Sequence, residues 1–183
     1  FTNCCYSGDS NIQIQNTPTN TLSATITDCI FNDCLSSKYI ISIQNIELIS
    51  ISDCTFNFST NDNACSGISI DSPNSISINN CQFEKCFNHN ADGACLYIHR
   101  ERINGNIDSI ELQNIFFDNC IGSTYNTIFV DCDCTYLSTI RNLTIQNSQN
   151  DQSDSYIYGI NVNQDILFEG CIFSNCRTNN EYG

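Results

Sequence analysis

Ile76-Ser77-Ile78-Asn79-Asn80-Cys81-Gln82-Phe83-Glu84-Lys85-Cys86 is a short alternating strand, a polar corner and a Cys-x-Phe-x-x-Cys unit, and variants of it recur along the chain. Ala24-Thr25-Ile26-Thr27-Asp28-Cys29-Ile30-Phe31-Asn32-Asp33-Cys34 and Ile49-Ser50-Ile51-Ser52-Asp53-Cys54-Thr55-Phe56 precede it. Ile115 and Phe117, Leu143 and Ile145, then Cys171 and Phe173 take the places of Cys81 and Phe83 further on. The first of these positions falls at 29, 54, 81, 115, 143 and 171, spacings of 25, 27, 34, 28 and 28 residues, a period that belongs to solenoids.

A second register runs between these units, with apolar pairs at Ile41 and Ile43, Ile68 and Ile70, Leu96 and Ile98, Ile128 and Val130, and Ile160 and Val162. Each pair is separated by one residue, so each strand has an inward and an outward face. Asn, Asp and Ser at the strand ends suit corners, because they tolerate left-handed backbone and hydrogen-bond locally. The pattern predicts a right-handed parallel β-helix of about six coils with a ~27-residue repeat. Phe31, Phe56, Phe83, Phe117, Ile145 and Phe173 are expected to form one internal ladder, with Cys29, Cys54, Cys81, Ile115, Leu143 and Cys171 beside it. An antiparallel sandwich would need hairpin turn dipeptides, and Asn104-Gly105 is the only strong one.

The 183 residues suit one domain, read as an irregular opening coil over 1–22, repeat coils over 23–176 and a short tail over 177–183. Ile, Phe and Tyr lead the apolar set while Met is absent, a strand composition. A net charge of -14 with six Lys and Arg disfavours nucleic acid and anionic membranes, and no apolar run is long enough to span a bilayer. The opening at Phe1 without a basic-then-apolar leader reads as a mature product or an excised segment. Fourteen cysteines fit an oxidising compartment better than the cytosol, and Asn57-Phe58-Ser59 and Asn142-Leu143-Thr144 are glycosylation candidates at Asn57 and Asn142.

Equivalent residues of adjacent coils lie about one strand spacing apart, within reach of a disulfide. Cys29, Cys34, Cys54, Cys81, Cys86, Cys120, Cys171 and Cys176 are therefore the disulfide candidates, with inter-coil bridges such as Cys29 to Cys54 or Cys86 to Cys120. Buried thiols acting as small apolar residues are the alternative. Cys132-Asp133-Cys134 is too isolated to suggest zinc, and no metal ligand and no cofactor is assigned.

Asp92-Gly93-Ala94-Cys95-Leu96-Tyr97-Ile98 is similar to the Gly-Gly-Ala-[Ile/Val/Leu] repeat, and Phe116-Phe117-Asp118-Asn119 to the Phe-x-x-Asn repeat, of polymorphic outer membrane protein-type β-helices in the pectin-lyase-like superfamily. Those are surface adhesins and passenger domains, so the resemblance implies the fold and an extracellular setting. It implies no mechanism, since Cys stands where small residues are usual.

No catalytic residue is assigned and no enzyme is expected. Asp131 and Asp133 share a face of an extended segment but read as solvated turn residues, and His89 and His99 as surface residues. The excursion His99-Arg100-Glu101-Arg102-Ile103-Asn104-Gly105-Asn106 makes Arg100 and Arg102 the candidates for binding a cell-surface glycan or protein. A second long connector carries Asp151, Asp154, Tyr156 and Tyr158, and a single Thr25-Ile26-Thr27 falls short of an ice-binding ladder. Without a capping helix at either end, self-association through β-helix ends is expected. The expectation is an extracellular structural or adhesive β-helix, with a polysaccharide-binding or polysaccharide-degrading β-helix as the alternative.

Overall fold

The computed structural model describes residues 10–16, 22–34, 39–57, 66–88, 95–100, 108–122, 127–131, 134, 138–150, 158–161 and 165–178. One sheet orders β1 (Ser10–Gln15), β4 (Tyr39–Gln44), β7 (Ser66–Asp71), β10 (Leu96–His99), β13 (Ile128–Asp131) and β16 (Tyr158–Asn161). A second runs through β2 (Ser23–Thr27), β5 (Leu48–Ser52), β8 (Ser75–Glu84), β11 (Ser109–Asp118), β14 (Ser138–Gln146) and β17 (Ile166–Glu169). The short strands β3 (Ile30–Asn32), β6 (Thr55–Asn57) and β18 (Ile172–Ser174) continue that sheet past its corner. The third contains β9 (Phe87–Asn88), β12 (Ile121–Gly122), β15 (Gln149–Asn150) and β19 (Arg177–Thr178).

Each strand pairs in parallel with its equivalent one repeat away, as in Ile41 with Ile68 and Phe83 with Phe117. The chain is therefore a parallel β-solenoid, all-β among the described residues. The repeat spacing predicted six coils; among the described residues about four turns carry all three faces, because the third sheet is four strands deep there. That sheet begins its last strand at Arg177, inside the stretch expected to be tail.

The core is a set of ladders. Phe31, Phe56, Phe83 and Phe117 are fully buried. Their rings stack at centroid distances of 4.8, 4.7 and 4.7 Å with interplanar angles of 5°, 4° and 10°. The separation is set by the strand spacing, so each added coil seats its ring on the last. Ile145 continues the ladder inside the protein, whereas Phe173 in the last described coil is 43% exposed.

Left-handed residues make the corners. Asp28, Asp53, Asn80, Asn114 and Asn142 share one corner with φ between 50° and 55°, and Gly170 joins them at 66°. Asp33, Lys85, Asn119, Asn147 and Asn175 do the same at the next corner. Asn and Asp tolerate this conformation better than other side chains. Their side chains also bond between coils: Asn142 Nδ2 donates to Asn114 Oδ1 at 2.9 Å, and Asn175 Nδ2 to Asn147 Oδ1 at 3.0 Å.

Candidate functional site

Corner geometry explains most of the cysteines. Cys29, Cys34, Cys54, Cys81, Cys86, Cys120, Cys171 and Cys176 each follow a left-handed residue. Each thiol donates to the carbonyl two residues earlier, at distances from 3.1 Å for Cys54 to Ser52 up to 3.9 Å for Cys86 to Glu84. Ser148 follows left-handed Asn147 and bonds the Gln146 carbonyl in the same way at 3.1 Å. A short side chain with a polar hydrogen satisfies a carbonyl at the turn while facing the core. Ile115 and Leu143 take the apolar solution at equivalent positions.

None of the eight disulfide candidates is joined in a disulfide in this structure. Their expected adjacency does hold: Thr55 N–H bonds the Cys29 carbonyl, Gln82 N–H that of Cys54, and Ile121 N–H that of Cys86. Cys29, Cys54 and Cys81 form one stack. Hydrogen bonding from Cys81, against the opposing effect of burial and with help from Cys29, brings Cys54 down to about 7. The same bond to Cys54, with burial, pushes Cys81 up. Burial raises Cys29.

A second cluster was not foreseen. The Sγ atoms of Cys86, Cys95 and Cys120 all lie within 4.8 Å of one another, and all three residues are fully buried. Cys86 and Cys120 occupy the same corner of successive coils, while Cys95 faces them from the residue before β10. Burial and the bonds to Cys120 and Cys95 push Cys86 up. Burial acts to raise Cys120 as well, but hydrogen bonds from Cys86 and Cys95 outweigh it and bring Cys120 down. Cys95 was missed because it stands nine residues from Cys86, outside the Cys-x-Phe-x-x-Cys unit. Its place immediately before the Leu96 register was the signal that could have found it.

Arg100 directly follows β10 and is half-buried. Its Nη1 donates to the Pro73 carbonyl and to Asn74 Oδ1, the latter at 2.8 Å, and so fastens the corner between β7 and β8. Arg102 lies outside the described residues, as do His89, Asp133, Asp151, Asp154 and Tyr156. Asp131 ends β13, and the His99 ring stands 6.0 Å from that of Tyr97.

Asn57 ends β6 and pairs with Asn32 and Glu84. Asn142 is embedded in the corner ladder, with its amide nitrogen on Asn114 and its oxygen over Gly170.

The last described coil is open. Phe168 and Phe173 are 44% and 43% exposed, whereas Ile140 and Ile145, their partners one coil earlier, are buried. Among the described residues no helix is long and apolar enough to cross a membrane. In comparisons with known proteins, no family model, no curated sequence and no solved structure matches the chain.

Proposed function

We propose that this protein is a structural β-solenoid whose coil end takes a further coil from a second copy of the chain, building a filament by end-to-end stacking. The observation that carries this reading is the exposure of Phe168 and Phe173 on ladders that are buried one coil earlier. β17 and β18 pair only with β14 among the described strands, so a row of backbone groups also faces outward. A stacked coil would satisfy both needs at once, burying the rings and extending the ladders.

The extracellular setting of this reading rests on the cysteine content, the two sequons and the resemblance to surface adhesin repeats. The test is sedimentation velocity with negative-stain imaging of the full chain across a concentration series. Rods that lengthen with concentration, and that are lost in a Phe168→Glu and Phe173→Glu double variant, are expected. A wild-type chain that stays monomeric throughout would sink the reading.

A further inference from the structure

Corner hydrogen bonding accounts for eight of the ten described cysteines and leaves Cys95 and Cys134, of which Cys95 faces two corner thiols. In successive coils the position of Cys95 is held by Ile40, Gly67, Cys95 and Thr127, as the pairing of Ile41, Ile68, Leu96 and Ile128 fixes. A cysteine stands in this ladder only where the facing corner carries Cys86 and Cys120. Thr127 belongs to the coil of Cys120, and its carbonyl accepts from the Cys95 N–H at 3.2 Å. Cys86, Cys95, Cys120 and Thr127 therefore form four corners of one buried frame, two from each of two adjacent coils.

An independent observation bears on the fourth corner. Thr127 is only 2% exposed, and its Oγ1 has no hydrogen-bond partner among the described residues. A buried hydroxyl left so has lost its hydration without a hydrogen bond in return. A ligand in the frame would remove that cost.

We propose that Cys86, Cys95 and Cys120 bind a thiophilic d10 cation of the zinc(II) type inside the solenoid, with the Thr127 hydroxyl as fourth ligand. Zinc–sulfur bonds of about 2.3 Å hold sulfurs roughly 4 Å apart. Three sulfurs already within 4.8 Å reach that spacing by a shift of less than an ångström. Binding replaces the three thiol protons with the metal, which releases them to solvent. Three thiolates and a divalent ion leave one negative charge, whereas three buried thiolates without the ion would leave three. The ion would tie two coils together through side chains, in addition to their backbone ladders.

The chain itself supplies the conservative variants. Ser148 occupies the Cys120 position one coil on, and Thr127 the Cys95 position, so Cys120→Ser and Cys95→Thr place residues these ladders already accept. The full chain, purified under reductant, is stripped of metal and titrated with Zn2+ against a chromophoric chelator, and with Cd2+ while sulfur-to-metal charge transfer is followed. One equivalent per chain is expected, with the charge-transfer band.

Cys120→Ser and Cys95→Thr should each weaken Zn2+ binding by roughly a hundredfold with the circular dichroism unchanged, while Cys54→Ser should not alter it. Thr127→Val should weaken Zn2+ binding and leave the sulfur band in place. Binding unchanged in Cys120→Ser and Cys95→Thr would overturn the site, as would binding lost in Cys54→Ser alone. So would a disulfide among the three cysteines in chain isolated without reductant. Zn2+ affinity unmoved by Thr127→Val would overturn the fourth ligand.

Discussion

Gly67 is packed against the ring of Phe83 so closely that a Cβ at this position would stand 2.6 Å from Phe83 Cε1 and would also strike the Cys95 carbonyl oxygen. The ladder that carries Ile40 in one coil and Cys95 in the coil after next is empty of side chain here because the aromatic ladder takes the space. Gly67→Ala is therefore expected to destabilise the solenoid by about 1–3 kcal/mol, the range for overpacking a filled core. Phe83→Leu should recover part of that loss in the double variant, since it frees the ring contact but not the carbonyl contact. Urea denaturation of the two single variants and the double variant reads the coupling.

The aromatic stack gives a graded expectation. Phe83 has a ring on each side, Phe56 and Phe117, whereas Phe117 has the Phe83 ring on one side and Ile145 on the other. Phe83→Ala should cost about 3–5 kcal/mol, with Phe117→Ala toward the lower end of that range. The order of the two denaturation midpoints checks it, and equal midpoints would contradict ring stacking as the source of the difference.

This ladder was legible in the sequence because one large side chain per repeat leaves a mark at fixed spacing, and the second register at Ile41, Ile68 and Leu96 was legible for the same reason. The third sheet was not: β9, β12, β15 and β19 are two residues each, too short for alternation to show. The thiol frame was hidden because Cys95 joins Cys86 across the width of a coil, a distance that periodicity along the chain does not encode. The bonds of Arg100 were hidden for a related reason, since its partners Pro73 and Asn74 belong to the preceding coil.

Lys85 is the corner residue out of keeping with its neighbours. The other described non-glycine residues with positive φ are Asn, Asp and Ser, whereas Lys85 adopts 53° with a long side chain. Left-handed backbone costs an ordinary L-residue about 1–2 kcal/mol, and Asn less. Lys85→Asn is expected to stabilise the protein by about 0.5–1 kcal/mol, seen as a higher denaturation midpoint at unchanged m-value. A lower midpoint would mean that the ammonium group makes a contribution the corner geometry does not reveal.

Arg100 fastens one coil to the corner before it. Arg100→Ala removes two hydrogen bonds from a guanidinium and should cost about 1–3 kcal/mol. Arg100→Lys should restore only part of this, because a single ammonium cannot reproduce the planar donor set that reaches Pro73 and Asn74. If Arg100 instead served a ligand, stability would be unmoved in both variants, and thermal unfolding separates the cases.

The Cys29, Cys54 and Cys81 stack makes stability depend on pH in a direction set by its members. Cys54 is brought down to about 7, below an unfolded thiol near 8.5. Between these values the unfolded chain holds more protons than the folded one, so the contribution of Cys54 grows as pH rises through this window and is lost as pH falls through it. Cys81 is shifted the other way by its bond to Cys54 and by burial, so its contribution is complete below the unfolded value and declines above it. The stack should therefore favour folding most strongly near pH 8–9. Measured as the difference in unfolding free energy between wild type and Cys54→Ser across pH 6–10, the expected curve rises and then falls. A flat difference would mean that the three thiols titrate independently despite their stacking.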